Sequence, residues 1–173
     1  MKVRNMVLCA LFAALMTICA WISIPLGSFV FTLQSFAVFL SLLTLGGSRG
    51  TAAILVYLCI GLTGLPVFSG FRGGLGAILG VTGGYLWGFA LSALVFWLIT
   101  GLFGKKARIP AVIIAILCCY GCGMAWMAFS QMGGFTADTL GAAFLQGVAP
   151  YLLPDSIKIT LAFFLSHKLK KFV

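Results

Sequence analysis

Long apolar segments separated by short polar or glycine-rich turns make up most of this chain. A helix that crosses a bilayer needs about 20 consecutive apolar residues, and most of these segments approach or exceed that length. The pattern predicts an all-α membrane protein with six transmembrane helices in a single domain over residues 1–173. The predicted segments are Met6–Ile24, Phe31–Leu45, Thr51–Leu65, Leu75–Leu102, Ala111–Phe129 and the final stretch Leu140–Leu169.

The final stretch is too long for one straight helix. Pro150 and Pro154 mark natural break points, because proline disrupts the interior of a helix but suits its first turn. We therefore expect a short helix or re-entrant piece over Leu140–Val148, followed by a last span from about Pro150 to His167.

The balance of residue types agrees with a membrane-embedded chain. Hydrophobic residues make up 62% and charged residues 8%, whereas soluble domains are about 25% charged. Most of the chain is therefore expected to face membrane lipid or other apolar helices. The first apolar run follows Lys2 and Arg4 but is longer than the core of a typical signal peptide, so we expect an uncleaved first span.

Basic residues concentrate on one side of the predicted six-span arrangement. The 11 Lys and Arg residues and two acids give a net charge of +9. Both termini and the second and fourth turns share one side, whereas Arg72 and Asp138 fall on the other. This bias predicts cytoplasmic N- and C-termini. The bases lie at segment ends and are not interleaved with exposed aromatics, so they do not indicate nucleic-acid binding. The cytoplasmic bases are Lys2, Arg4, Arg49, Lys105, Lys106, Arg108, Lys168, Lys170 and Lys171.

Asp155 and Lys158 are the exception to the exclusion of charge from apolar segments. A charge at the centre of a bilayer costs roughly 2.5–3.5 kcal/mol on insertion scales. Residues three apart on a helix share a face, so the two charges are expected to lie together. A self-neutralising ion pair would explain them structurally. The alternative is a polar ligand, with Lys158 binding a carboxylate and Asp155 accepting N–H groups.

Further candidate binding residues lie near glycines and at the start of the second segment. Gly76, Gly80, Gly84 and Gly88 are spaced by four, which predicts one small-residue helix face for close packing or for a flat ligand. Thr82 and Tyr85 lie beside this face, and Gln34 begins the second segment. Ala10 and Ala14 form a second small pair, suited to helix packing or to docking of a partner.

Two turn-rich loops, Ile24–Gln34 and Leu65–Gly74, are predicted on the non-cytoplasmic side. They serve as connectors or as a lid over a site that opens outward.

Motifs for catalysis, metal binding and cofactor binding are absent from the sequence. There is one histidine, His167, at the basic end of the last segment, and no P-loop or paired carboxylates. Cys119 and Cys122 form an isolated C-x-x-C without the second pair that a zinc site requires, so apolar packing is the simpler role. The sequence predicts no enzyme, no metal and no cofactor, and the energy for uphill transport would have to come from another protein.

Five stretches, taken in order, resemble the BioY family, the biotin-binding S components of energy-coupling factor (ECF) transporters. The resemblance covers nearly the whole chain, although Val81 stands where that family often has proline. The stretches are Ile24–Gly27, Phe31–Val38, Gly61–Phe68, Thr82–Phe89 and Pro154–Lys158.

The resemblance implies a six-helix fold in the bacterial inner membrane, with the vitamin site near the outer face. Asp155 and Lys158 would match the binding Asp and Lys on the last helix of the family, and Tyr85 would match its motif tyrosine. Ala10 and Ala14 would match the motif that faces the ECF coupling subunit, which works with ABC-type ATPases. Biotin carries a ureido group and a carboxylate, which suit the two charges. The alternatives are an S component for a different vitamin, an intramembrane enzyme that uses Asp155 as a base, or a purely structural membrane protein.

Overall fold

The computed structural model describes residues 3–26 and 29–171, and Lys2, Gly27 and Ser28 lie outside this part of the chain. A short 3-10 turn at Lys105–Ala107 precedes the sixth helix. Strands β1 (Ser23–Leu26) and β2 (Phe29–Thr32) pair antiparallel between the first two helices. The helices are α1 (Val3–Trp21), α2 (Gln34–Leu45), α3 (Gly47–Leu62), α4 (Leu75–Ile78), α5 (Gly83–Phe103), α6 (Arg108–Gln131), α7 (Ala137–Gly147) and α8 (Ala149–Leu169).

Three of the described helices, α1, α5 and α6, are individually long and apolar enough to cross a membrane. Helices α7 and α8 together add a fourth candidate span, bent by 43° at the break between them. Helices α2 and α3 are apolar but shorter, with 12 and 16 residues. The described part of the chain is therefore predominantly helical with three or four candidate spans, and the six-span count stays a prediction.

The break before α8 lies where the prolines predicted it. Helix α8 begins at Ala149 with Pro150 in its first turn, and Pro154 lies inside the helix. The preceding short helix starts three residues earlier than expected, at Ala137. A reciprocal cap between Thr136 and Thr139 explains this start, because each side chain satisfies a backbone group of the other residue.

The predicted single helix over Leu75–Leu102 is wrong, because the chain forms α4, a turn and then α5. Glycine weakens a helix, and the Gly80 carbonyl accepts a hydrogen bond from Trp126 Nε1 at 2.9 Å outside any helical ladder. The four-glycine face is therefore interrupted. Gly84 and Gly88 lie in α5, whereas Gly76 belongs to α4 and Gly80 to the turn.

The helices pack mainly in pairs, and three of these pairs include α3. Helix α5 lies along α6, α2 lies along α8, and α3 contacts α1, α2 and α5. The largest fully buried side chains, Tyr57, Phe39, Phe96 and Met16, come from four of these helices and fill the space between them. This packing places the start of α2, the first half of α8 and the middle of α6 around a common interior.

The end of the bundle at which α1 leads into the β-hairpin is called the hairpin end below. The loop Ile24–Gln34, predicted to be a connector or part of a lid, contains all of this hairpin except Ser23. Trp21 Nε1 donates to the Pro66 carbonyl at 2.7 Å, and its ring stacks on Phe71 with centroids 5.2 Å apart. The loop after α3 therefore lies beside the hairpin. At the opposite end, Arg49 donates to the side chain of Asn5, which brings the α2–α3 turn to the start of α1.

Candidate functional site

Helix α8 places Asp155 and Lys158 on one face, less than one turn apart. Lys158 Nζ donates to Asp155 Oδ1 at 2.7 Å, and each residue is only 6% exposed. The sequence therefore predicted their shared face correctly. The two groups, expected as separate handles, are in direct contact in the structure.

Two hydroxyl groups from other helices complete the polar cluster. Ser35 Oγ, from α2, donates to Asp155 Oδ1 at 2.9 Å and accepts from Lys158 Nζ at 3.3 Å. Tyr120, from α6, donates its hydroxyl to Asp155 Oδ2 at 2.8 Å. These three helices meet at the ion pair. The name charged cluster is used below for Ser35, Tyr120, Asp155 and Lys158.

The β-hairpin lies against the charged cluster. The Phe31 ring of β2 lies 4.1 Å from Lys158 Nζ, a distance suited to a cation–π interaction. The Tyr151 hydroxyl of α8 accepts from the Val30 backbone N–H and donates to the Val30 carbonyl, both at 3.3 Å. A ligand that reaches the cluster from the hairpin end must therefore displace the hairpin.

The opposite charges of the cluster compensate each other, and each of its polar side-chain atoms has at least one hydrogen-bond partner. A buried charge is costly unless it is paired and its remaining donors and acceptors are satisfied. Asp155 and Lys158 meet this condition through each other and through the two hydroxyls. The arrangement presents one acceptor and one donor side by side within apolar surroundings, which suits binding of a polar group.

Gln34 lies next to this cluster and serves a neighbouring hydrogen-bond chain. Its Nε2 donates to the hydroxyl of Tyr57 at 2.9 Å, and Tyr57 donates to the Val67 carbonyl at 3.0 Å. Both side chains are buried. These hydrogen bonds connect the start of α2 to the loop after α3. Gln34 directly precedes Ser35 of the charged cluster.

Tyr85, Thr82 and Gly84 lie at the start of α5. The half-buried Tyr85 donates its hydroxyl to the Gly147 carbonyl at the end of α7. Thr82 is exposed, and its side chain does not cap the helix. A Cβ atom added at Gly84 would lie 2.2 Å from the Cβ of Trp126, so this glycine allows α5 to approach α6. No described hydrogen bond joins these three residues to Asp155 or Lys158.

Ala10 and Ala14 are exposed on α1, away from the charged cluster. They share a helix face with exposed apolar side chains, including Val7 and Ile18. This face is not covered by other described parts of the chain, which is a requirement for docking of a partner helix.

The remaining reactive side chains form no second site among the described residues. No three His, Cys, Asp or Glu side chains of residues 3–26 and 29–171 group as metal ligands. His167 is exposed and contacts the Phe163 carbonyl through Nδ1 at 3.0 Å. Cys119 is buried, and its thiol contacts the Tyr85 carbonyl at 3.9 Å.

Ser35 and Tyr120 are the site residues that sequence reasoning missed. Both are separated from Asp155 by many positions, 120 for Ser35 and 35 for Tyr120. A signal was present for Tyr120, because a tyrosine within an apolar membrane segment needs a partner for its hydroxyl. The Asp155 carboxylate was the strongest acceptor available in the apolar segments.

A model of the BioY family matches residues 1–173 of the chain. The chain belongs to the BioY family. It is 39% identical over 168 residues to the biotin transporter BioY of Thermotoga maritima, covering 97% of this chain and 96% of that protein. It is 38% identical over 170 residues to a probable biotin transporter BioY of Pyrococcus horikoshii, covering 98% of both chains.

The fold of this BioY family member has also been seen in a crystal structure, that of the S-component for biotin from an ECF-type ABC transporter. The TM-score is 0.82 with 23% sequence identity, covering 98% of this chain and 92% of the other. At this identity, the match establishes the shared fold. Together with the apolar helices, it identifies the chain as a multi-pass membrane protein.

Proposed function

We propose that this protein is the biotin-binding S component of an ECF-type transporter. The observation that carries the proposal is the charged cluster, where a buried donor and acceptor are available for a small polar molecule. Biotin offers complementary groups, namely a ureido group and a carboxylate, together with a ring and aliphatic chain that suit apolar surroundings. The relatives named as biotin transporters support the choice of ligand. Because they are transporters, we assign binding and not catalysis to Asp155.

The hairpin is the proposed lid of the site. Phe31 lies over Lys158, and Val30 is hydrogen-bonded to Tyr151 at 3.3 Å. Biotin would bind from outside when this hairpin and the loop after α3 open, and both would close over it. Four further residues would line the site or support it without contacting the charged pair directly. They are Tyr85, Thr82, Gly84 and Gln34.

The proposed setting is a bacterial inner membrane, with six spans and both termini in the cytoplasm. The contact between Arg49 and Asn5 supports a common side for the α2–α3 turn and the start of α1. The family match over residues 1–173 supports a single substrate-binding domain. Energy for release would come from an ECF coupling subunit with ABC-type ATPases, docked through Ala10 and Ala14.

Equilibrium binding of labelled biotin to the purified protein in detergent tests the proposal. We expect tight binding by the wild type, and a loss of at least about tenfold, or about 1.4 kcal/mol, in Asp155→Asn and Lys158→Ala. Native affinity in both variants would exclude the charged pair from the site. Competition with a panel of other vitamins tests the alternative ligand, and displacement of biotin by one of them at lower concentration would change the assignment.

A further inference from the structure

A groove between α6 and α8 opens on the outer surface of the bundle. Helix α6 packs along α5 and against α7, and α8 packs along α2, so among the described residues these two helices do not lie directly along each other. The Tyr120 hydroxyl bridges them, because it donates to Asp155 at 2.8 Å and lies 3.5 Å from the Tyr151 carbonyl. Beside this bridge lies a groove of about 250 Å³, called the α6–α8 groove below. Its walls include Val112, Ile113, Leu117, Leu152, Ser156 and Ile159.

The walls of the α6–α8 groove are apolar apart from two hydroxyl groups that already have partners. Tyr120 donates to Asp155, and Ser156 donates to the Leu152 carbonyl of its own helix at 2.6 Å. A small polar ligand or a bound water needs several polar partners, and the described walls do not offer them. Pockets for whole small molecules usually measure about 300–1,000 Å³. The groove therefore suits a segment of a hydrocarbon chain.

The rim of the groove is accessible from the membrane. Helix α6 is long and apolar enough to cross a bilayer. Ile113 and Leu117 on the rim are 54% and 59% exposed, whereas Val112 in the wall is 4% exposed. Apolar groups gain dispersion contacts when a hydrocarbon chain lies against them at packing distance. An acyl chain of a neighbouring lipid can enter from the side and make these contacts.

The groove leads away from the hairpin end. Helix α8 leaves the hairpin at Tyr151, and α6 runs antiparallel to it, because Tyr120 meets Tyr151 whereas Val112 shares the groove with Ile159. Eight residues separate Val112 from Tyr120, which corresponds to about 12 Å along a helix. The groove therefore extends from the bridge at Tyr120 toward the start of α6 and the end of α8.

Six bases and no acid lie in the two stretches of chain at this end of the groove. Residues 104–110 lead into α6, and residues 166–171 end α8. Arg108 begins α6 one helical turn before Val112, and the side chains of Lys106 and Lys168 are exposed. Each base near an anionic lipid surface raises affinity about fivefold. The charge complements a phosphate-bearing head group. The bases are Lys105, Lys106, Arg108, Lys168, Lys170 and Lys171.

We infer that the α6–α8 groove binds one acyl chain of an anionic phospholipid, whose head group lies against these bases. The chain packs along Val112 and Ile159, and its tip lies against the ring of Tyr120. A free phosphate or a neutral lipid satisfies only one half of this arrangement, since the first lacks the chain and the second lacks the net charge. The inference does not rest on the proposed function, because the groove lies on the outer surface of the bundle.

Two lipids with the same acyl chains test the head-group half of the site. Delipidated full-length protein receives dioleoyl phosphatidylglycerol or dioleoyl phosphatidylcholine, and native mass spectrometry measures the affinity of the tightest lipid. We expect the wild type to prefer phosphatidylglycerol at least about fivefold. Combined Lys106→Gln and Arg108→Gln should abolish this preference. Arg72→Gln, which removes a base at the hairpin end, should retain it. Inorganic phosphate alone should not raise the unfolding temperature.

Two neighbouring substitutions on α6 test the groove itself. Ile113 and Ile114 are 54% and 44% exposed, but only Ile113 lines the groove. Tryptophan at position 113 fills the space of the acyl chain, so Ile113→Trp should weaken both lipids at least about tenfold. Ile114→Trp is the matched control and should bind both as the wild type does. Leu117→Trp fills the same groove one turn further along and should repeat the effect of Ile113→Trp.

Several results would overturn the inference. These are equal affinity of the wild type for the two lipids, equal effects of Ile113→Trp and Ile114→Trp, and an unchanged lipid preference without Lys106 and Arg108. A protein dimer that Ile113→Trp abolishes would assign the groove to a second copy of the chain. Loss of ATP-linked uptake in Ile113→Trp with unchanged lipid binding would assign it to a helix of a partner protein.

Discussion

At the scale of single residues, the ion pair of α8 gains little stability from its own attraction. Each charge gives up hydration when it is buried, and a buried pair is often no more stable than apolar residues of similar volume. Removing one partner has a different effect, because the remaining charge is left uncompensated. Lys158 and Asp155 are therefore expected to depend on each other for stability and to be dispensable together.

Stability measurements on single and double variants test this dependence. Asp155→Asn should lower the unfolding free energy by about 3–5 kcal/mol, because the Lys158 ammonium loses its counter-charge. Adding Lys158→Met should restore most of this loss, since no buried charge then remains. Thermal unfolding in detergent without ligand provides the comparison, and biotin binding should stay impaired in both variants. A double variant as unstable as Asp155→Asn would contradict the argument.

The residue scale also shows how far the sequence predicts the site. Asp155 and Lys158 were predictable because charge is rare in the apolar segments and their spacing places them on one helix face. Their direct contact with Ser35 and Tyr120 was not predictable, because it depends on how α2 and α6 pack against α8. Local periodicity describes one helix at a time and carries no information on which helices are neighbours.

At the scale of elements, glycines decide how closely α5 and α6 approach. A Cβ at Gly84 would lie 2.2 Å from the Cβ of Trp126 and 2.9 Å from the Cys122 carbonyl. Neither atom is the far end of a flexible side chain, so the helices would have to separate. Close packing of α5 and α6 therefore explains the glycine at position 84 more directly than contact with a flat ligand does.

Two alanine substitutions in α5 distinguish packing from intrinsic helix preference. Gly84→Ala should destabilise the protein by about 1–3 kcal/mol through overpacking. Gly101→Ala, in the same helix but with no atom within 4 Å of the added Cβ, should stabilise it by up to about 1 kcal/mol. Unfolding temperatures in detergent report both effects. Equal shifts in the same direction would show that close packing at Gly84 is not limiting.

The elements also show where sequence patterns mislead. The apolar run from Leu75 to Leu102 continues across the turn, so hydropathy alone predicts one helix, whereas Trp126 from α6 bonds the Gly80 carbonyl within the break. The stretch before α2 was predicted as a loop because Ile24–Gln34 is rich in turn-forming residues, whereas Ser23–Leu26 and Phe29–Thr32 pair as strands. Both errors arise where a distant partner, or a short strand pair, satisfies backbone groups that a helix would otherwise satisfy.

At the scale of the whole molecule, the proposed binding site and the proposed docking face lie on different helices. The charged cluster is built by α2, α6 and α8, whereas Ala10 and Ala14 lie on the exposed face of α1. Helix α1 contacts α2 and α3 but supplies no hydrogen bond to the cluster among the described residues. Binding and docking should therefore be separable by mutation.

Replacing Ala10 and Ala14 with tryptophan together tests this separation. Two large rings on a small-residue face would prevent close approach of a partner helix. ATP-linked biotin uptake should therefore be abolished. The biotin affinity of the purified protein should stay within about twofold, or about 0.4 kcal/mol, of the wild type. The matched control is Leu94→Trp with Leu98→Trp, which places two rings at the same spacing on exposed positions of α5. This control should bind and transport normally. Uptake that persists in the Ala10 and Ala14 variant would exclude this face from coupling. Loss of biotin binding in the same variant would show that α1 supports the site through α2, so that binding and docking are not separable.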